Sequence, residues 1–200
     1  MGKNSHPIGK AIKWSTDRIG AFVGLIVTSP LLMMVAIIIK LDSKGPVFFR
    51  QTRIGQHGKP FKICKFRTMT NASGSYVTTS DDPRITPIGH WLRRTKIDCL
   101  SELFNVLAGQ MSFVGPRPDV PGYADQLTGT DRNILLMKPG ITGPASLKYR
   151  NEENLLAQQT DPQHYNDTII WPDKVKINLE YQRHWTLCID FRIIISTFFH

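Results

Sequence analysis

The sequence predicts an α+β protein: a helix-rich domain with a small β-hairpin, on an N-terminal re-entrant membrane helix broken at Ser29-Pro30. Three observations lead to this fold class. An uncharged apolar segment of 21 residues lies between Arg18 and Lys40, two strand-like segments flank a glycine-rich turn, and short helical patterns occupy much of the remainder. We therefore divide the chain into a basic segment with the membrane helix, residues 1–44, and a domain of residues 45–200.

The apolar segment is long enough to cross a bilayer, which needs about 20 residues as a helix. Pro30 lies in its middle, where a proline kinks or breaks a helix. Basic residues flank both ends: Lys3, Lys10, Lys13 and Arg18 before the segment, and Lys40, Lys44, Arg50 and Arg53 after it. Because Lys and Arg favour the cytoplasmic side, both ends are expected on that side, as in a re-entrant hairpin. A spanning helix kinked at Pro30 and a buried core helix are the alternatives.

The composition fits a folded basic protein, with 41% apolar residues and a formal net charge of +9. Such a charge suits nucleic acid, an anionic membrane surface or a phosphate-bearing substrate. Because the apolar segment dominates the sequence, nucleic acid is the least expected of these three partners. Cys64, Cys99 and Cys188 form no CxxC pair, so we expect neither a disulfide framework nor a zinc site.

Residues 46–54 and 60–69 read as two strands joined by a turn at 55–58. Side chains alternate along a strand, so Lys65 and Arg67 share a face with Phe61 and Ile63. This pattern fits either a strand that runs from the core into a phosphate site or a solvated strand end.

The remaining elements follow from periodicity and turn residues. Residues 112–122 carry too many glycines and prolines for regular structure. The segment 185–199 fits an interfacial helix and a helix packed on the protein equally well. The other predictions are a loop at 70–89, helices at 91–108, 124–137, 151–159 and 172–183, and a tight turn at 139–144.

Within the predicted helix at 91–108, Thr95 and Asp98 match a helix-start signature. Asp98, Glu102 and Asn105 fall on one face, away from an apolar stripe. Asp98 could simply cap the helix. Alternatively, the positive end of the helix dipole favours its ionised form, which a nucleophile or a magnesium ligand requires.

Several segments in this order resemble the bacterial sugar transferase family, the monotopic phosphoglycosyl transferases. The matching segments are the apolar run with Ser29-Pro30, GPVFFRQTRIG at 45–55, KFRTM at 65–69, LFNVLAGQMSFVGPRP at 103–118, PGITGPASLKYRN at 139–151 and PDKVKINLEY at 172–181. The GPRP and PGITG segments are specific in combination.

The resemblance implies a compact α+β domain on the cytoplasmic face of the bacterial inner membrane. It implies transfer of a sugar phosphate from a UDP-sugar to undecaprenyl phosphate, with release of UMP and with Mg²⁺ as cofactor. On this match Asp98 is the nucleophile and a magnesium ligand. The candidates for binding the phosphates and the substrate are Lys65, Arg67, Asn105, Arg117 and Arg150. Membrane lipid, downstream glycosyltransferases and a second copy of the chain are further expected partners; nucleic acid is not.

Two positions depart from the family pattern. Cys99 stands where a catalytic glutamate is usual, and Gln110 stands where an aspartate is usual. A largely neutral thiol suits magnesium poorly, so we hypothesise that Glu102, one turn after Asp98, partly replaces the missing acid. Arg150 could also pair on the surface with Glu152 or Glu153, and Asn105 could be a helix-face residue only. The alternative function is a catalytically impaired member that binds substrate or a partner enzyme.

Overall fold

One long helix, α1 (Pro7–Asp42), leads the chain in the computed structural model, which describes residues 7–70, 78–79 and 82–199. By length and composition α1 could cross a membrane. Ser29 Oγ donates a hydrogen bond to the Ile26 carbonyl (2.7 Å), the acceptor that Pro30 leaves free because it lacks an N–H. The structure thus has one helix across Ser29-Pro30 rather than two separate helices, and the re-entrant path stays a prediction.

One side of α1 packs on the domain along both of its halves. Ala21 joins a buried apolar cluster with Ile63 and Leu103, and Val35 joins another with Phe66. The opposite side exposes large apolar side chains, namely Ile19, Phe22, Val23, Ile26, Val27, Met33, Met34 and Ile37. Both halves of the helix therefore contact the same domain, while its other side is exposed among the residues that the structure describes.

A buried ion cluster of Lys13, Asp17 and Asp190 fixes the N-terminal half of α1. Lys13 Nζ lies 2.6 Å from Asp190 Oδ2 and 3.5 Å from Asp17 Oδ2. Tyr181 donates its hydroxyl to Asp190 (2.6 Å), and Ser112 donates to Asp17. Because buried charges are tolerated only when paired and hydrogen-bonded, this cluster holds α1 against the C-terminal elements.

The predicted hairpin is confirmed. Strands β1 (Phe48–Ile54) and β2 (Pro60–Phe66) pair antiparallel, with Phe48 opposite Phe66. The turn between them has left-handed backbone at His57 (φ 59°) and Gly58 (φ 76°).

The prediction of irregular structure at 112–122 and of a turn at 139–144 is wrong in part. Strands β3 (Ser112–Val114) and β4 (Gly140–Thr142) form a parallel pair. Glycine permits the close approach of these chains, since a Cβ at Gly115 would lie 2.3 Å from the Lys138 carbonyl oxygen. The pairing joins segments far apart in sequence, which local patterns do not show.

The prediction of one continuous helix at 91–108 is wrong, because three separate elements cover this range. Helix α2 (Pro87–Arg94) starts earlier, and Thr86 accepts a hydrogen bond from the Gly89 N–H at its start. Lys96 then adopts a left-handed conformation (φ 57°), which ends one element before the next begins. A 3₁₀ turn (Ile97–Glu102) and the short helix α3 (Leu103–Leu107) follow.

The other predicted helices are confirmed in part. Two 3₁₀ turns, Ala124–Gln126 and Asp131–Leu136, replace the predicted helix at 124–137. The predicted helices at 151–159 and 172–183 are present, and the predicted loop at 70–89 lies partly outside the described residues and ends in α2. The remaining helices are α4 (Pro144–Lys148), α5 (Glu152–Ala157), α6 (Pro162–Tyr165), a π-helical turn (Asn166–Ile170), α7 (Trp171–His184) and α8 (Leu187–Phe199).

Helix α8 confirms that the last segment packs on the protein. Ile193 is buried with Val114, Met137 and Tyr181. The outer side of α8 exposes Phe191 and Phe198, so the interfacial role stays a prediction for that side alone.

Candidate active site

Asp98 lies in the first turn of the short 3₁₀ element, and it is buried. Lys96 precedes this element, which has no side-chain cap, and the Thr95 hydroxyl donates back to the Trp91 carbonyl. The prediction that Thr95 and Asp98 mark a capped helix start is therefore wrong. The Asp98 carboxylate instead contacts side chains, chiefly Lys65, so it is available for chemistry.

Lys65 links β2 to the acidic groups of the 3₁₀ turn. Its Nζ lies 3.6 Å from Asp98 Oδ2 and 3.1 Å from Glu102 Oε1, and it donates to Cys99 Sγ at 3.5 Å. Desolvation works against the charge of Lys65, but the surrounding acidic groups, among them the carboxylates of Glu102 and Asp98, outweigh it and raise the lysine pKa. Lys65 therefore holds a positive charge between the two carboxylates.

Arg117 supplies a second cation, from the loop after β3. Pro116 and Pro118 restrict the backbone on both sides of it. Desolvation lowers the pKa of Arg117, yet the surrounding acidic groups, among them the carboxylates of Glu102, Glu152 and Asp98, raise it overall. Lys65, Asp98 and Glu102 thus form one cluster, and the charge of Arg117 acts on it from the neighbouring loop.

Cys99 remains a neutral thiol in this setting. Burial raises its pKa to about 12, although Lys65 acts in the opposite direction. Its thiol lies 3.8 Å from Asp98 Oδ1, within the range of a weak S–H donor. The position therefore contributes a polar neutral group where the resemblance implied a carboxylate.

We expect Cys99 to resist alkylation under conditions that modify Cys188. Thiolate is the reactive form of cysteine, and at pH 8 a pKa of about 12 leaves almost none of Cys99 as thiolate. Cys188 is exposed and serves as the internal control. Treating the folded protein with iodoacetamide and identifying the modified peptides by mass spectrometry checks this. Alkylation of Cys99 as fast as Cys188 would contradict the neutral thiol.

The donor set at Asp98 fits a magnesium ion shared with substrate phosphates. Mg²⁺ is usually bound by one or two carboxylates together with substrate phosphates and waters. Asp98 and Glu102 offer two carboxylates on either side of Lys65 Nζ. In the described ranges, no group of three or more acidic, histidine or cysteine side chains is arranged to hold a metal ion. A closed metal cage built from the protein alone is therefore not a feature of that region.

Arg67 does not lie with Asp98. The side chain is buried and donates to the carbonyls of Ser43 (2.7 Å) and Lys44 (2.8 Å) at the end of α1. Strand β2 ends at Phe66, so the alternation that paired Arg67 with Lys65 does not extend to it. These carbonyl contacts point to a structural role at the C-terminus of α1 rather than phosphate binding.

Arg150 and Asn105 also have structural partners. Arg150 donates to the Thr197 carbonyl near the end of α8, while Glu152 and Glu153 pair with Lys174 and Arg93. Asn105 Oδ1 accepts from the Cys64 N–H (2.8 Å), and its Nδ2 donates to the Lys62 carbonyl (2.8 Å). Asn105 thereby joins α3 to β2 and helps to position the strand that carries Lys65.

A neighbouring acid and cation were missed by the sequence-based reasoning. Burial raises the pKa of Asp119 to about 6, against the opposing effects of Lys174, Arg53 and Arg117. Arg53 lies beside the same loop and donates to the Pro118 carbonyl (3.3 Å). The available signal was the position of Asp119 directly after the GPRP segment. The positive side of the site therefore extends beyond Arg117.

The chain belongs to the bacterial sugar transferase family, whose pattern matches residues 8–200. This confirms the resemblance. A UDP-glucose:undecaprenyl-phosphate glucose-1-phosphate transferase from Escherichia coli (strain K12) is 37% identical over 199 residues, which are 96% of this chain and 40% of the relative. The chain thus spans about two fifths of that relative.

Two further relatives differ in length and in name. A UDP-N-acetylgalactosamine-undecaprenyl-phosphate N-acetylgalactosaminephosphotransferase from Aeromonas hydrophila is 34% identical over 96% of this chain and 44% of its own length. The exopolysaccharide production protein PSS from Rhizobium leguminosarum bv. phaseoli is 36% identical over 93% of this chain and 92% of its own length. The chain therefore corresponds to nearly a whole protein in one relative and to part of a longer one in others.

Proposed function

We propose that this protein is a phosphoglycosyl transferase that moves a sugar 1-phosphate from a UDP-sugar to undecaprenyl phosphate and releases UMP. One observation carries the proposal: the buried Asp98 carboxylate lies beside Lys65, with Arg117 nearby. The relatives' names supply the substrate classes, a UDP-sugar and undecaprenyl phosphate. The product would be the first lipid-linked sugar of a bacterial glycoconjugate pathway.

In the first step an Asp98 oxygen attacks the phosphorus that carries the sugar. A bond forms between that oxygen and phosphorus, and the diphosphate P–O bond breaks. UMP leaves with the bonding electrons, so a sugar phosphate remains on Asp98. Phosphoryl transfer depends mainly on placement and charge stabilisation, which Lys65 and Arg117 would supply.

In the second step a phosphate oxygen of undecaprenyl phosphate attacks the same phosphorus. The bond to Asp98 breaks, the carboxylate is restored, and undecaprenyl diphosphate-sugar is released. Glu102 keeps Lys65 in place (3.1 Å) while Asp98 is esterified. When bound, Mg²⁺ would neutralise the diphosphate, with Asp98 and Glu102 as its protein ligands.

The packing of α1 supports a location on the cytoplasmic face of the membrane. Lys13 and Val35 lie in different halves of α1, and both contact the same domain. Both ends of the apolar segment are then on one side, and the exposed apolar side of α1 is free to enter the bilayer. This arrangement favours the re-entrant topology over a spanning helix.

The proposed activity is tested by UMP release. We incubate purified protein with UDP-glucose or UDP-N-acetylgalactosamine and Mg²⁺, with or without undecaprenyl phosphate. We expect UMP release to exceed one equivalent per protein only when undecaprenyl phosphate is present. Absence of release with these and other UDP-sugars would favour the second candidate, a catalytically impaired member that binds substrate or a partner enzyme, for which Cys99 is the supporting feature. In that case Cys99→Glu tests whether the thiol is the cause.

Glu102→Gln is expected to reduce turnover about 10- to 100-fold, as loss of a group that orients the site typically does. The change removes the charge that holds Lys65 and one proposed magnesium ligand. Its matched control is Glu153→Gln, which removes a surface carboxylate paired with Arg93. Steady-state UMP release at several Mg²⁺ concentrations measures both. If Glu102→Gln turned over at the wild-type rate at every Mg²⁺ concentration, the hypothesis that Glu102 partly replaces the missing acid would be ruled out.

A further inference from the structure

A groove separate from Asp98 lies between the hairpin and α3. It has a volume of about 430 Å³, and Lys62 and Cys64 contribute to its wall. Because side chains alternate along β2, these two residues project opposite to Lys65, which contacts Asp98. Strand β2 therefore separates the groove from the proposed active site. The volume is in the range of small-ligand sites.

Two cations give the groove its charge. Arg50 and Lys62 line it from neighbouring strands, and Arg50 is directly opposite Cys64 in the pairing register. No carboxylate lines the groove, and neither cation has an ion-pair partner within the part of the chain that the structure describes. An anion is thus the ligand that this wall complements.

The other wall of the groove is aromatic and adjoins the membrane helix. Phe48 stacks on Phe66 with ring centroids 5.3 Å apart and meets the edge of Phe104 at 6.2 Å. Phe48 packs against the cluster that contains Val35 of α1, and Phe104 remains 44% exposed. The aromatic wall is therefore contiguous with α1, the helix whose free side is apolar.

Gln110 adds a directed donor to the groove. Its Oε1 accepts a hydrogen bond from Asn105 Nδ2 (2.8 Å). This bond orients the amide and leaves Nε2 available to a ligand. Cationic, amide and aromatic groups in one groove match a molecule with an anionic head and an apolar chain.

We propose that this groove binds an anionic membrane phospholipid, with its phosphate between Arg50 and Lys62 and its acyl chains along Phe48, Phe104 and α1. A phosphate held there lies across β2 from Asp98, so this lipid is bound rather than consumed. The site would secure the hairpin that carries Lys65 to the membrane surface next to α1.

The test uses the full chain purified in a neutral detergent, with phosphatidylglycerol or phosphatidylcholine added. Native mass spectrometry counts the lipids retained. Two cations near an anionic headgroup correspond to a preference for phosphatidylglycerol of about tenfold or more. We expect wild type to show this preference and the double variant Arg50→Gln/Lys62→Gln to lose it. The control variant Lys59→Gln/Arg183→Gln removes the same charge from exposed positions outside the groove and should keep the preference.

Three outcomes would overturn the proposal. The wild type could retain both lipids equally, or the groove variant could retain phosphatidylglycerol as wild type does while its thermal unfolding is normal. Alternatively, undecaprenyl phosphate could displace phosphatidylglycerol at equal concentration, with a raised KM for undecaprenyl phosphate in the groove variant. That result would make the transferase's lipid substrate the occupant. Loss of UMP release by Asp98→Asn with an unchanged lipid preference would separate this site from the proposed catalytic one.

Discussion

Asp98→Asn is expected to lower UMP release at least about a thousandfold, because removal of a covalent nucleophile typically has effects of that size or larger. The amide has nearly the same shape but lacks the charged oxygen that must attack phosphorus. The fold should persist, since the Asp98 side chain caps no backbone group at its turn and Lys65 keeps its contact with Glu102 (3.1 Å).

The matched control for this variant is Asp131→Asn. Asp131 also lies in the first turn of a 3₁₀ element, but it is exposed and away from Lys65. We expect wild-type UMP release from it. Thermal unfolding of both variants distinguishes a chemical defect from a folding defect. Turnover by Asp98→Asn close to that of Asp131→Asn would remove Asp98 from the mechanism.

Among the substitutions proposed here, Lys13→Met is expected to lower the free energy of unfolding most. The substitution leaves Asp17 and Asp190 buried without the cation that lies 3.5 Å and 2.6 Å from them. Breaking a buried ion pair by removing one partner costs about 3–5 kcal/mol, compared with about 0–1 kcal/mol for an exposed pair. Thermal unfolding in detergent, with limited proteolysis near the start of α1, measures the effect.

Two further variants make this prediction specific. Lys10→Met removes a half-buried cation of α1 outside the ion cluster and should change the unfolding midpoint little. Lys13→Met combined with Asp190→Asn should recover part of the loss, because one unpaired charge is removed and Tyr181 still has an acceptor at residue 190. Equal midpoints for Lys13→Met and Lys10→Met would contradict the role of the cluster in fixing α1.

Local patterns were sufficient for the hairpin and for α5 and α7, but not for the contact between Lys65 and Asp98, which joins residues far apart in the chain. The hairpin has two β-type segments around a glycine-containing turn, so its register needs little distant information. Alternation along β2 grouped Lys65 with Phe61 and Ile63 and left open whether its end of the strand is solvated. The hairpin and the two helices depend on residues close together in the chain.

Other features depend on distant partners or on an unusual backbone. Lys96 adopts the left-handed conformation (φ 57°) without the glycine or asparagine that would signal it. Arg67 contacts carbonyls at the end of α1, 23 or more residues earlier in the chain. The pair Lys13–Asp190 joins residues 177 positions apart. The sequence around a basic residue such as Arg67 or Lys13 therefore did not indicate whether its partner was a phosphate, a carbonyl or a buried carboxylate.

The most direct test of covalent catalysis is to trap the intermediate. The protein is incubated with a UDP-sugar and Mg²⁺ without undecaprenyl phosphate, quenched and digested, and its peptides are analysed by mass spectrometry. We predict a sugar phosphate on the peptide that contains Asp98, formed with a stoichiometric burst of UMP and lost when undecaprenyl phosphate is added. An unmodified peptide in samples that release UMP and form lipid-linked product would contradict the covalent mechanism.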